Sequence, residues 1–296
     1  MLTKSEYPWA SAKLENDALV FAAPGGLSQA LQDGFFFIDI PAQLDLSAGD
    51  LFATNFYQSC SGGPFDSYQG FHAWSADRLA EHEGYFVRDT DQVEQFFLES
   101  RFWDRVFPPV LTLQAIAMRN LGLAILRAVL AQLDIPTQLW NPATGGCLSD
   151  KGSYHMTFNH FRPSVRARGL NTHKDSGWVT VLRSLEPGLE VRRGDSWLPI
   201  TPRAGTFIVN FGCAMEMLTR HSHTPVAAVA HRVAEQRPDG RTCPDRFSYA
   251  LFLDSGMGED LYQYDAAHGL VSTMPFKEFL DNILRNTYQL GTEGLY

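Results

Sequence analysis

Apolar and polar positions follow two different periods in the two halves of the chain. The longest helical pattern covers 108–133, where Leu113, Ile116, Ala117, Leu121, Ala124 and Ala128 recur near the helical period. A proline at 108 or 109 suits a first turn, Gly122 interrupts the helix at modest cost, and Asp134-Ile135-Pro136 ends it. This pattern predicts a scaffold helix with one face in the core. Shorter helices are predicted over 27–31 and over 91–97, the latter polar on one side. Between them, Gly34-Phe35-Phe36-Phe37-Ile38-Asp39-Ile40 is aromatic and β-branched and ends at Pro41, which predicts a strand.

From Tyr154 onward the period shortens. Strands are predicted over 154–161, 178–182, 189–192, 197–200, 206–211, 227–233 and 247–253. They are separated by the turn signals Pro187-Gly188, Arg193-Gly194-Asp195, Pro202 with Gly205, and Pro238-Asp239-Gly240. Many short strands at this spacing imply a sandwich or barrel. The final pattern, over 275–288, is an amphipathic helix with Phe276, Phe279, Leu280, Ile283 and Leu284 on one face.

Composition changes the picture mainly by exclusion. At 296 residues and 45% hydrophobic, the chain has the makings of a sizeable core. A net charge of −9 without any Lys/Arg run argues against nucleic acid as a partner. No apolar window of membrane-spanning length is expected, and the first residues do not read as a signal peptide. The cysteines, Cys60, Cys147, Cys213 and Cys243, show no CxxC spacing and read as free thiols, which implies a cytoplasmic setting. The expected partner is a small molecule, with no membrane; the oligomeric state is left open.

Candidate chemistry lies in the strand-rich half. His173 and Asp175 stand two positions apart, so in an extended segment they share a face. His231 lies inside a later predicted strand, sharing its face with Ala227, Val229 and Val233. Two His and one carboxylate form the facial triad of non-haem Fe(II) oxygenases, which leaves positions open for cosubstrate and dioxygen. Alone, HxD with a later His is a weak signal in a chain with nine His. Arg246 and Ser248 also share a strand face, and a guanidinium fork with a hydroxyl suits the distal carboxylate of 2-oxoglutarate. Pairing of Arg246 with Asp245 or Asp254 is the structural alternative. His221 and His223 read as a solvated loop, and Met215 and Met217 as barrel packing.

The order of these motifs resembles the isopenicillin N synthase-like 2-oxoglutarate/Fe(II) dioxygenases across most of the chain. Gly34-Phe35-Phe36 looks like the family's early strand, and Asn159-His160-Phe161-Arg162-Pro163 is similar to N-Y-Y-P-P. The run from His173 to Leu182 is similar to H-x-D-x-G-x-x-T-x-L, Gly188-Leu189-Glu190-Val191 to G-L-Q-V, and Val209-Asn210-Phe211-Gly212 to V-N-x-G. His231-Arg232-Val233 and Arg246-Phe247-Ser248 are similar to H-R-V and R-x-S.

The resemblance implies an all-β core with flanking helices, a double-stranded β-helix or distorted jelly roll. On this view residues 1–150 form a helical and mixed region packed on the barrel, 151–270 the catalytic core, and 271–296 a C-terminal helix of the same domain. It implies iron on His173, Asp175 and His231, and 2-oxoglutarate on Arg246, Ser248 and Asn159, with O2 as co-reactant. Arg162 and Trp178 are candidates for substrate contact. Three departures stand out: Phe161 replaces a tyrosine that often helps hold the cosubstrate, Cys213 replaces an Asp, and Arg162 replaces a Pro.

The expected activity is oxidation of an unactivated C–H bond of a small molecule, by hydroxylation, desaturation or cyclisation. An amino acid or a natural-product intermediate is the expected substrate. Two alternatives are an Fe(II) oxidase that uses no 2-oxoglutarate, and a non-catalytic binding protein on the same fold.

Overall fold

In a computed structural model that describes residues 7–237 and 244–288, strands dominate from the first turn onward. Strands β1 (Ser11–Glu15) and β2 (Ala18–Phe21) form a hairpin, whose turn residues Asn16 and Asp17 both take positive φ, as such tight turns require. Helix α1 (Gly26–Asp33) leads into β3 (Phe35–Asp39), followed by α2 (Ser47–Asn55), β4 (Gly84–Val87) and β5 (Val93–Glu99). Then come α3 (Trp103–Val106), α4 (Pro109–Leu130) and α5 (Trp140–Ala143). The second half runs through β6 (Ser153–Phe161), β7 (Leu170–His173), β8 (Val179–Ser184), β9 (Leu189–Arg193), β10 (Ser196–Pro199) and β11 (Thr206–Phe211). Helix α6 (Cys213–Thr219), β12 (His231–Val233), β13 (Arg246–Asp254), the hairpin β14 (Asp260–Asp265) and β15 (Gly269–Pro275), and α7 (Phe276–Tyr288) complete the described chain.

Nine strands form one sheet in the order β2-β1-β3-β11-β8-β13-β6-β5-β4, and four form a second in the order β10-β9-β12-β7. Their inner faces meet through Phe35, Phe37 and Ile208 against Leu189 and Val191, with Val229 of the segment before β12 joining the cluster. A second apolar contact joins Val93 and Phe161 to Val233. This is a distorted jelly roll. The outer face of the large sheet is covered by α2 and α4, so β6 is buried along its whole length and shows no hydrophobic–polar alternation. Gly122 lets α4 approach the sheet: a Cβ there would stand 2.7 Å from Leu253 Cδ1.

Helix α4 corrects one expectation. By length and composition it is apolar enough to cross a membrane, although the sequence reading finds no such window. Half of it is buried, with Leu111, Ala115, Met118, Ile125 and Leu126 in the main core, so it serves as the scaffold helix.

Three further expectations change. Of residues 91–97, expected as a helix, 93–97 belong to β5, where Glu94 and Gln95 are buried in hydrogen bonds; these polar residues imitate an amphipathic helix. The region 1–150 does not simply pack on the barrel, because β1, β3 and β5 pair directly into the large sheet and cross that boundary. The strand expected over 227–233 shortens to His231–Val233; the Ala227 amide donates to Leu31 O instead, at 2.8 Å. Met215 and Met217 lie on a helix, with Met215 buried in the core. The expected turn Pro238-Asp239-Gly240 and Cys243 lie outside the described residues.

Candidate metal and carboxylate site

β7 and β12 run antiparallel with His173 and His231 directly opposite, their ring centroids 4.3 Å apart. The Nδ1 of His173 lies 2.8 Å from Asn171 O, and that of His231 3.1 Å from Val229 O. A carbonyl only accepts, so each Nδ1 carries the proton and each Nε2 keeps its lone pair. Those Nε2 atoms face Asp175 Oδ1 at 3.9 and 3.7 Å. One ligand atom from each of the three residues falls within 4.8 Å of the others. Burial, helped by the neighbouring His231, pushes the His173 pKa down to about 4, which keeps it a neutral ligand at pH 7.

The carboxylate is held as well as placed. Asn210 Nδ2 donates to Asp175 Oδ2 at 3.2 Å, and the Cys213 amide donates to Asp175 O at 2.8 Å. Two imidazole nitrogens and one carboxylate oxygen on a single side suit a divalent transition metal with open positions, and the donor set fits Fe(II).

Arg246 opens β13 and stands opposite Phe161 of β6, its guanidinium carbon 4.7 Å from the ring centroid. Arg246 Nε donates to Pro187 O at 3.0 Å and Nη2 to Ser184 Oγ at 3.0 Å. Among the described residues its buried Nη1 has no hydrogen-bond partner, and Arg246 is only 2% exposed. Burial lowers its pKa to about 10, with nearby Glu186 acting the other way, so it remains a cation at pH 7. Gly188, at φ 129°, makes room beside it: a Cβ there would stand 3.1 Å from Arg246 Cδ. An orphaned buried guanidinium nitrogen needs an anion, and a carboxylate fits it.

Ser248 continues the same face. Asn159, its cross-strand partner, donates to Ser248 Oγ at 3.3 Å and accepts from Gln95 Nε2 at 2.6 Å. Both groups of residues open on one cavity of about 110 Å³. Its walls include His173, Asp175, His231, Arg246, Ser248, Asn159 and Phe161, with Phe86, Phe97, Leu170 and Phe252 as apolar lining.

The structure therefore brings together all the sequence-predicted site residues but two. Trp178 is fully buried in the core and donates through Nε1 to Ser255 Oγ at 3.1 Å, away from the cavity. Arg162 donates through Nε to Gln92 O at 3.1 Å and lies 3.7 Å from Glu94, also outside the cavity walls. Neither is placed to contact a substrate there. Three residues escaped the sequence reading. Gln95 sat in the segment misread as helix, Asn210 was matched only as part of a motif, and Ser184 carries no local signal at all.

Residues 153–255 match the profile of the 2OG-Fe(II) oxygenase superfamily. Protein DMR6-LIKE OXYGENASE 1 of Arabidopsis thaliana is 26% identical over 212 residues, which cover 70% of this chain and 58% of that protein. Codeine O-demethylase of Papaver somniferum is 29% identical over 119 residues, covering 38% of this chain and 31% of that protein. The chain thus spans less than two thirds of the length of these relatives. Among solved structures, JOX2 in complex with 2OG, Fe and JA superposes with a TM-score of 0.67 at 22% identity, covering 87% of this chain and 80% of that one. The rice dioxygenase for auxin oxidation superposes with a TM-score of 0.65 at 20% identity, covering 96% and 97%. These likenesses establish the fold as a double-stranded β-helix. Over its β-helical segment, residues 153–255, the chain is thus similar to the 2OG-Fe(II) oxygenase superfamily.

Proposed function

We propose that this protein is an Fe(II)- and 2-oxoglutarate-dependent dioxygenase that oxidises an unactivated C–H bond of a small molecule. The observation that carries the reading is the shared cavity: a three-ligand metal locus and a buried guanidinium with an orphaned nitrogen open on the same space. His173, Asp175 and His231 would hold the metal. Arg246 and Ser248, oriented by Ser184 and Asn159, would hold the distal carboxylate of 2-oxoglutarate. When bound, iron, 2-oxoglutarate and dioxygen supply the oxidation; for hydroxylation, the 2-oxo acid becomes succinate and carbon dioxide, and one oxygen atom enters the substrate.

The protein's own contribution is placement and exclusion. Asn210 fixes the rotation of the Asp175 carboxylate, and the two backbone carbonyls fix the imidazole tautomers. Phe86, Phe97, Leu170 and Phe252 keep water from the reacting centre. Curated relatives named as O-demethylases of codeine and of a flavonoid support a natural-product intermediate as substrate. The free thiols Cys60, Cys147 and Cys213 support a cytoplasmic setting.

A second reading, an oxidase that uses no 2-oxoglutarate, draws on Phe161, which presents a ring where a hydroxyl would strengthen the clamp. One measurement separates the two. The dioxygenase should release labelled carbon dioxide from 1-labelled 2-oxoglutarate in step with product, whereas full turnover without any 2-oxo acid would establish the oxidase.

A further inference from the structure

A row of hydrogen bonds crosses four neighbouring strands of the large sheet and ends at the clamp. The sheet order β13-β6-β5-β4 places Ser248, Asn159, Gln95 and Phe86 side by side, through the registers Ser248–Asn159, Asn159–Gln95 and Gln95–Phe86. Arg88 follows two positions after Phe86, just past the end of β4, with its guanidinium carbon 4.7 Å from the Phe86 ring centroid. Arg88 Nη1 donates to Gln95 Oε1 at 2.5 Å, Gln95 Nε2 to Asn159 Oδ1 at 2.6 Å, and Asn159 Nδ2 to Ser248 Oγ at 3.3 Å. Gln95, Asn159 and Ser248 are buried and line the cavity, whereas Arg88 is partly exposed at the far end of the row.

That far end fixes the direction of the whole row. A guanidinium only donates, whereas a side-chain amide can present either its oxygen or its nitrogen. Arg88 therefore holds the Gln95 oxygen toward itself and leaves the Gln95 nitrogen to face Asn159. The Asn159 oxygen accepts from it, so the Asn159 nitrogen faces Ser248. Turning either amide over would set two donors or two oxygens against each other inside the sheet and leave buried groups unpaired. Ser248 Oγ thus accepts from the sheet, and its one proton is kept for another acceptor. Among the described residues the Ser248 hydroxyl donates to none.

We infer that Arg88 and Gln95 are positioning residues for the cosubstrate: through Asn159 they turn the Ser248 hydroxyl into a donor toward the distal carboxylate of 2-oxoglutarate. The inference deepens the oxygenase reading proposed above and rests on it. A carboxylate only accepts, so it gains from a hydroxyl turned this way and loses from one turned back to Asn159. The direction counts for more in this chain because Phe161 brings no hydroxyl to the clamp, which leaves Ser248 as the hydroxyl donor beside Arg246.

The test is calorimetric titration of Zn(II)-loaded protein with 2-oxoglutarate. Ser248→Ala removes the donor itself and should weaken binding by about tenfold or more, as loss of one hydrogen bond to a charged group implies. Gln95→Met, which stays neutral, and Arg88→Met should each weaken it at least about threefold, the scale of one ordinary hydrogen bond. Arg88→Lys still donates and should recover most of the affinity. In a Ser248→Ala background, Gln95→Met and Arg88→Met should cost nothing further, because the group they orient is gone. A substitution that merely loosened the sheet or removed a distant charge would add its loss to that of Ser248→Ala. Wild-type affinity in Gln95→Met and Arg88→Met overturns the inference, and so do losses that persist in full in the Ser248→Ala background. Wild-type protein that takes up no 2-oxoglutarate overturns the oxygenase reading instead. Hydrogen exchange of the Gln95 and Asn159 side-chain amides in metal-free protein then decides the row separately: Arg88→Met should speed exchange at both, and unchanged exchange overturns the role of Arg88.

Discussion

Arg246 and Phe161 stand opposite each other across β13 and β6, with the guanidinium carbon 4.7 Å from the centre of the ring. The ring stabilises the cation through its face but accepts no hydrogen bond in the plane of the guanidinium. Ser184 and Pro187 occupy two of the Arg246 nitrogens, and among the described residues Nη1 has no hydrogen-bond partner. A buried cation prepared in this way is incomplete until an anion binds.

Removing that cation should cost the cosubstrate its main anchor. Truncating one member of a buried charge pair costs roughly 2–5 kcal/mol. Arg246→Ala should therefore weaken 2-oxoglutarate binding by about 30-fold or more, since about 1.4 kcal/mol is tenfold. Arg246→Lys should recover only part, because an ammonium lacks the planar fork. Calorimetric titration of Zn(II)-loaded protein measures both, and unchanged affinity in Arg246→Ala would remove 2-oxoglutarate from this residue.

Restoring a hydroxyl at the ring should act in the opposite direction. Phe161 is buried and lines the cavity beside the guanidinium. Phe161→Tyr adds a donor worth roughly 1.5–3 kcal/mol toward a carboxylate. The expected result is 2-oxoglutarate binding tightened about tenfold or more, read in the same titration. No change would place the new hydroxyl out of reach of the cosubstrate.

The metal locus should depend on its three donors and, less steeply, on their support. His173→Ala, Asp175→Ala and His231→Ala should each abolish stoichiometric Fe(II) binding while circular dichroism still reports the folded sheet. Asn210 donates to Asp175 without reaching the metal, so Asn210→Ala should lower metal affinity by about 10–100-fold. Metal analysis after dialysis separates the two outcomes. Full iron retention by any of the three ligand variants would reassign that ligand.

Asp254 gives a pH dependence away from the ligand atoms. Burial raises its pKa to about 6 in the folded chain, with His155 and Ser176 acting the other way, against an ordinary value of 3.8. The native state thus binds more protons than the unfolded state between those values, and the stabilisation from neutral Asp254 is full below about pH 4 and lost as pH rises through about 6. Asp254→Asn stays neutral throughout. Its stability relative to the wild type should rise between about pH 4 and pH 6 and level off above, as followed by urea denaturation of metal-free protein. A difference that stays flat across this window would mean that Asp254 is solvated.

What the sequence alone determined was local. The helical period located α4, and the two-residue strand period put Arg246 and Ser248 on one face. It also brought His173 close to Asp175, although Asp175 lies just beyond the end of β7. Trp178, a candidate because it adjoins the His173–Asp175 motif, precedes β8, and its ring is turned to the core and to Ser255; nearness in sequence does not say which way a side chain faces. In β5, polar residues buried by a hydrogen-bond network imitated a helix face and concealed Gln95. Only the tertiary structure decided that His231 meets His173, because that depends on the register between β7 and β12, elements far apart in the chain. It also decided that, among the described residues, Arg246 Nη1 and Thr157 Oγ1, both in residues that line the cavity, have no hydrogen-bond partner. Periodicity says which side chains share a face. Which partners that face meets, and which polar atoms it leaves unsatisfied, follows from packing between distant strands, and no local pattern encodes it.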